Sequence, residues 1–81
     1  MAGLMVAQPK EAIDHLTRRE LEVLSLVVQG QSNKMIARNL GMAEASVKVH
    51  LKSMLRKIEA ENRTQAAIWV LANQVALKTD K

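Results

Sequence analysis

Ser46 and His50 stand one helical turn apart, and a hydroxyl beside an imidazole is the beginning of a nucleophilic site. Around them lie Lys48, Lys52, Arg56 and Lys57, with no carboxylate between Glu44 and Glu59. The two sets point to different chemistry. A serine nucleophile needs a third group to orient the imidazole, oxyanion donors and a closed pocket. The sequence offers neither of the first two, and the chain is short for the third. A metal at His50 would lack ligands, because the only other histidine is His15, outside this stretch. His50 is therefore expected to pack and hydrogen-bond at the edge of a core. No enzyme, metal site or cofactor is expected, and the basic set is the better guide to function.

Wound as an α-helix at ~100° per residue, the stretch from Glu44 to Ile58 places Val47, Leu51, Met54 and Ile58 on one face. Ala45, Lys48, Val49, Lys52 and Arg56 fall on roughly the opposite face. One face suits a core; the other is cationic with a lone apolar residue. In a DNA major groove, lysines meet phosphates or guanine edges and an apolar side chain meets the thymine methyl. Lys48, Val49 and Lys52 are thus candidate base-reading residues and Arg56 a candidate phosphate contact. Lys57 lies off the centre of this face and would reach a phosphate only from the side.

Composition narrows the partner. With 81 residues the chain is one small domain. It has no cysteine, which excludes disulfides and thiolate zinc sites and fits a reducing cytosol. A formal charge of +4 and a sequence pI of about 9.9 favour a polyanion. There is one Trp and no Phe or Tyr, whereas readers of single strands stack bases on aromatic rings, so a duplex is favoured. No apolar run approaches the ~20 residues that span a bilayer. The apolar opening from Met1 to Ala7 is short and lacks a basic leading segment, so it is not read as a signal peptide. A cytoplasmic location without a membrane partner is expected.

The punctuation of the chain predicts the elements that hold these residues. Residues 1–15 contain Gly3 and Pro9, show no sustained period and read as a linker or disordered tail with a brief helical turn at Glu11 to Asp14. Thr17 and Glu20 form a capping box, with Leu16 and Leu21 spaced to staple across it, so a first helix runs from about Thr17 to Gln29 and stops at Gly30. A second helix follows Ser32 and ends at Leu40 before Gly41, with Ile36, Ala37 and Leu40 as its buried stripe. After the turn at Gly41, Met42 and Ala43, a third helix spans about 44–58. A fourth starts at Asn62, with Gln65 completing its cap, and continues to about Leu77. Two helices joined by a short turn containing Gly are a helix-turn-helix signature. The expected organisation is a domain over 16–78 and a solvated tail, 79–81, flanked by Lys78.

From Ala66 to Ala72 every residue is apolar. A surface helix of a small domain needs one apolar stripe, so the fourth helix is expected to bury a second side against another copy. Ile68, Trp69, Leu71 and Ala72 are the candidate dimer contacts, although alanines blur the pattern. The first helix has a milder version, with Leu21, Val23, Leu24, Leu26, Val27 and Val28 covering most of its girth.

Several segments, in order and spacing, resemble the LuxR-type helix-turn-helix domain, with wording closest to NarL/FixJ-like response regulators: LTRRELEVL at Leu16 to Leu24, Gly30, SNKMIARNLG at Ser32 to Gly41, SVKVH at Ser46 to His50, RKI at Arg56 to Ile58 and NRTQA at Asn62 to Ala66. The resemblance covers about Leu16 to Leu77. It implies an all-α, four-helix domain whose third helix enters the major groove and whose fourth pairs two copies on DNA. It also implies that Lys48, Val49 and Lys52 meet base edges, that Ser46, Asn33 and Lys34 lie at phosphates, and that Glu20 and Arg19 are structural. In full regulators of this type a phosphoacceptor receiver domain precedes this one, so the chain reads as a stand-alone effector domain or a piece of a longer regulator.

Three departures from the family pattern carry expectations. Ala43 stands where Ser or Thr usually caps the recognition helix, weakening that cap. Ile58-Glu59 replaces Leu-Gly, so the third helix is expected to continue further. Arg18 replaces a common Pro at little cost, since both fit a first turn. The expected function is a sequence-specific duplex-DNA-binding effector domain, homodimeric on DNA. The rivals are a helical protein-interaction module and a sigma-factor-like domain that contacts RNA polymerase.

Overall fold

The computed structural model describes residues 9–73. Five helices fill them, without a strand: α1 (Pro9–Asp14), α2 (Arg18–Val28), α3 (Asn33–Leu40), α4 (Glu44–Lys57) and α5 (Arg63–Ala72). The four expected helices are α2 to α5. The proposed continuation to Leu77, the Lys78 and Lys81 tail and the segment before Pro9 lie outside the described residues.

Local chemistry accounts for the starts. Thr17 takes the extended conformation, its hydroxyl accepts from the Glu20 amide at 3.1 Å, and the Glu20 carboxylate accepts from the Thr17 amide at 2.9 Å. Both partners of the capping box are thus in place. Ser32 accepts from the Met35 amide and Asn62 from the Gln65 amide. Ala43 is extended at the head of α4 and makes no side-chain cap bond. The helix starts where expected, held by packing instead of a cap. Ala43→Ser should raise stability by about 1 kcal/mol, seen as a higher melting temperature; an unchanged value would mean that the first amides of α4 are already satisfied.

The stops are less local. Gly30 and Gly41 have φ of 85° and 64°, a conformation glycine adopts freely. The third stop contradicts expectation. Helix α4 does not run on; Glu59 itself turns left-handed, with φ of 61°. Its amide donates to the Arg56 carbonyl at 3.2 Å and the Ala60 amide to the Leu55 carbonyl at 2.9 Å, closing the helix as a glycine would. The strain, of order 1 kcal/mol, persists because Ile58 on one side of Glu59 is fully buried and Ala60 on the other packs on the core.

Helix α2 is central and packs against α3, α4 and α5. Val23, Leu24 and Val27 are buried, and Leu21, Leu26 and Val28 are partly buried around them. Its apolar girth is therefore consumed within one copy. Val47 and Met54 of α4, Ile58 at its C-cap and Ile36 of α3 are fully buried, with Ala37 beside them and Leu40 and Leu51 packed at the margin. Ala12 of α1 and Leu16 also join this core, and Ile13 packs on it. The segment read as a linker thus contributes a helix and buried surface. Burial of Ala12 needs partners from other helices, which a short aperiodic stretch does not reveal.

Candidate nucleic-acid interface

The exposed face of α4 depends on the helix being fixed along its inner side. With Val47, Met54 and Ile58 against α2 and α3, the outward residues follow from helical geometry. Lys48, Val49, Lys52 and Arg56 are all exposed, as are Ala45 and Ser46. Val49 keeps 67% of its surface accessible. The arrangement is a cationic ridge with one methyl-bearing side chain at its middle. Among the described residues Lys48, Lys52 and Arg56 form no ion pair, so their charge is free to attract anions. His50 is half-buried, as expected, but its ring makes no hydrogen bond among the described residues.

One residue placed at the side of the basic face differs from the sequence reading. Lys57 turns inward: its Nζ lies 2.8 Å from Glu20 Oε1, with 29% of the lysine side chain and 4% of the glutamate side chain accessible. It ties the end of α4 to the start of α2 and is not part of the cationic ridge. Burial pushes the Glu20 carboxyl up, but hydrogen bonds from Lys57, Ser53 and the Thr17 amide, with the Lys57 charge, outweigh it and hold the group below its ordinary value. Glu20 is structural, as the resemblance implied. Arg19 pairs with Glu22 at 2.9 Å on the surface.

Asn33 begins α3, half-buried, and accepts at Oδ1 from Nη1 of Arg63 at 2.7 Å. The same guanidinium donates from Nη2 to the Gln31 carbonyl at 2.6 Å. Lys34 beside it is exposed. Arg63 was not singled out in the sequence, and the only signal for it is its place in the NRTQA segment.

Helix α5 divides its apolar residues. Ala66, Trp69 and Val70 are buried in the core. The Trp69 indole Nε1 is buried with no partner among the described residues. Ile68 and Leu71 point outward, 58% and 65% exposed, and Ala72 is exposed beside them. Ile68 also borders an open groove of ≈ 330 Å³ with Ile58, Glu59, Ala60, Gln65 and Trp69.

A helix pair joined by a glycine turn, its second member buried on one side and presenting bare lysines on the other, defines a helix-turn-helix domain. Residues 14–70 match the family described as bacterial regulatory proteins, luxR family, and the chain belongs to that family of DNA-binding transcription regulators. It is 47% identical over 64 residues to the nitrate/nitrite response regulator protein NarL of Escherichia coli K12, covering 79% of this chain and 30% of that protein. It is 47% identical over 58 residues to the glycerol metabolism activator of Pseudomonas putida, covering 72% of this chain and 26% of that protein. With the transcriptional regulatory protein LiaR of Bacillus subtilis the identity is 38% over 68 residues, 82% of this chain and 32% of that protein. The chain spans about a third or less of the length of these relatives. No described helix is long and apolar enough to cross a membrane.

Proposed function

We propose that this chain reads duplex DNA as the effector domain of a bacterial response regulator, laying α4 in the major groove. The observation that carries the reading is the joint exposure of Lys48, Val49 and Lys52 on a helix whose opposite face buries Val47 and Met54 in the core. Lys48 and Lys52 supply charge and guanine contacts, and Val49 meets a thymine methyl. Asn33, Lys34, Ser46 and Arg56 hold the phosphate backbone and set the register. Two copies pair through Ile68, Leu71 and Ala72 of α5, with Trp69 at the floor of the adjoining groove; the exposed apolar surface and that groove support a second copy there. Affinity comes from counterion release and fit, without a cofactor. The cytoplasm, where the bacterial chromosome lies, is the place of action, and phosphorylation of a preceding receiver domain is the proposed switch.

Selection of bound duplexes from a random pool tests this reading. The expected site is two-fold symmetric, with half-sites about 10 base pairs apart or a multiple of that. No enriched sequence, or binding insensitive to salt, would favour a helical protein-interaction module. Val49→Ala should relax preference at one position of each half-site while leaving nonspecific affinity nearly unchanged. The reverse outcome would remove Val49 from base reading.

A further inference from the structure

We infer that Arg63 is a positioning residue for DNA binding, which fixes the Asn33 amide so that its Nδ2 donor is left for a phosphate oxygen. The inference rests on the DNA-binding function proposed above. Arg63 opens α5 and reaches across to the turn between α2 and α3, donating to Asn33 Oδ1 and to the Gln31 carbonyl. A guanidinium has donors and no acceptor, so the amide can offer it only oxygen. This settles which way the Asn33 amide points, since its two ends differ only in hydrogen bonding. Nδ2 makes no hydrogen bond among the described residues.

Gln31 is held a second time, its Oε1 accepting from Asn39 Nδ2 at 2.6 Å. The turn before α3 is thus tied to α5 through Arg63 and to the end of α3 through Asn39. Asn33 is oriented before any ligand arrives, so little side-chain freedom is lost on contact. What it presents outward is a pair of N–H donors next to the exposed Lys34. Phosphate oxygens accept only, and in helix-turn-helix proteins the helix preceding the reader crosses the DNA backbone.

The test uses the 81-residue chain and a duplex selected by it from a random pool, remade with single methylphosphonate substitutions, one phosphate at a time. Wild type should lose about tenfold in affinity at the phosphate that Asn33 contacts. Asn33→Asp keeps an acceptor for Arg63, so its melting temperature should hold or rise. Its second oxygen cannot donate and repels phosphate, so the unmodified duplex should bind about tenfold more weakly and that one phosphate should lose its sensitivity. Arg63→Met keeps the aliphatic stem but releases the amide, and should lose sensitivity at the same phosphate while keeping it at the others.

A clamp that serves only the fold would shift stability and leave the pattern of sensitive phosphates intact. The inference is overturned if Asn33→Asp binds as tightly as wild type, or if the variants keep the wild-type pattern. The Asn33→Asp arm retains the Arg63 contact, so wild-type affinity or an unchanged pattern there overturns the inference even where Arg63→Met fails to fold. A wild-type chain that selects no duplex is a different result, and overturns the proposed function as well.

Discussion

Lys52→Ala will weaken binding to a selected duplex about tenfold at low salt and flatten the plot of log affinity against log salt by about one unit. Lys52 is exposed on α4 and makes no ion pair among the described residues, so folding does not use its charge. Alanine is at least as good a helix former, and stability should change by less than about 0.5 kcal/mol. The substitution therefore separates reading from folding. Affinity measured at several salt concentrations gives the slope directly. An unchanged slope would mean that the ammonium neutralises no phosphate, and the cationic ridge of α4 would then be a solvated surface.

Lys57→Ala will do the opposite, harming stability first. It removes the cationic partner of a carboxylate that is almost wholly buried. Breaking a fully buried pair costs about 3–5 kcal/mol, but Lys57 is partly exposed and water can enter where its ammonium lay. A loss of about 2 kcal/mol is expected, which lowers the melting temperature of a domain this size by roughly 10 °C. The pH dependence identifies the cause. Glu20 is held below its ordinary value of 4.5, so its contribution is complete above that pH and is lost as the pH falls through the lower folded value. The gap between wild type and Lys57→Ala should therefore be full near neutrality and narrow in that acid range, where Glu20 is protonated. A gap that stays constant down to low pH would assign the loss to packing of the lysine stem.

These two lysines show what the sequence reveals and what it conceals. Lys52 could be placed from spacing, because helical period alone sends it away from Val47 and Met54. Lys57 could not. Its partner Glu20 lies in another helix, and the inward turn depends on how α4 crosses α2. Arg63 is the same case, since its acceptors at Gln31 and Asn33 are adjacent only after folding. Helix starts were legible because Thr17, Ser32 and Asn62 each act on an amide three residues away. The end of α4 was misjudged because burial of Ile58 overrides the reluctance of Glu59 to turn left-handed. The inward side of α5 was hidden by uniform apolarity, and only packing distinguishes Trp69 from Ile68 and Leu71.

The outward residues of α4 and α5 also explain a division of labour. A domain with one fully engaged core has two kinds of uncommitted surface, one basic and one apolar. Under the proposed function the basic surface carries sequence reading on a rigid helix, which keeps the positions of Lys48, Val49 and Lys52 fixed relative to one another. The apolar surface around Ile68 and Leu71 is small, so a second copy held there alone would associate weakly. In the proposed dimer, pairing is then assisted by the two half-sites, which raise the local concentration of one copy near the other.

The central claim is that the exposed face of α4 enters the groove. Amide chemical-shift mapping during titration of the labelled chain with a selected duplex tests it most directly. The largest shifts should fall on Ala45 to Lys52, with a second group at Asn33 and Lys34, while amides of the α1 segment stay still. Shifts gathered on α1 and α5, with Lys48, Val49 and Lys52 undisturbed, would contradict it.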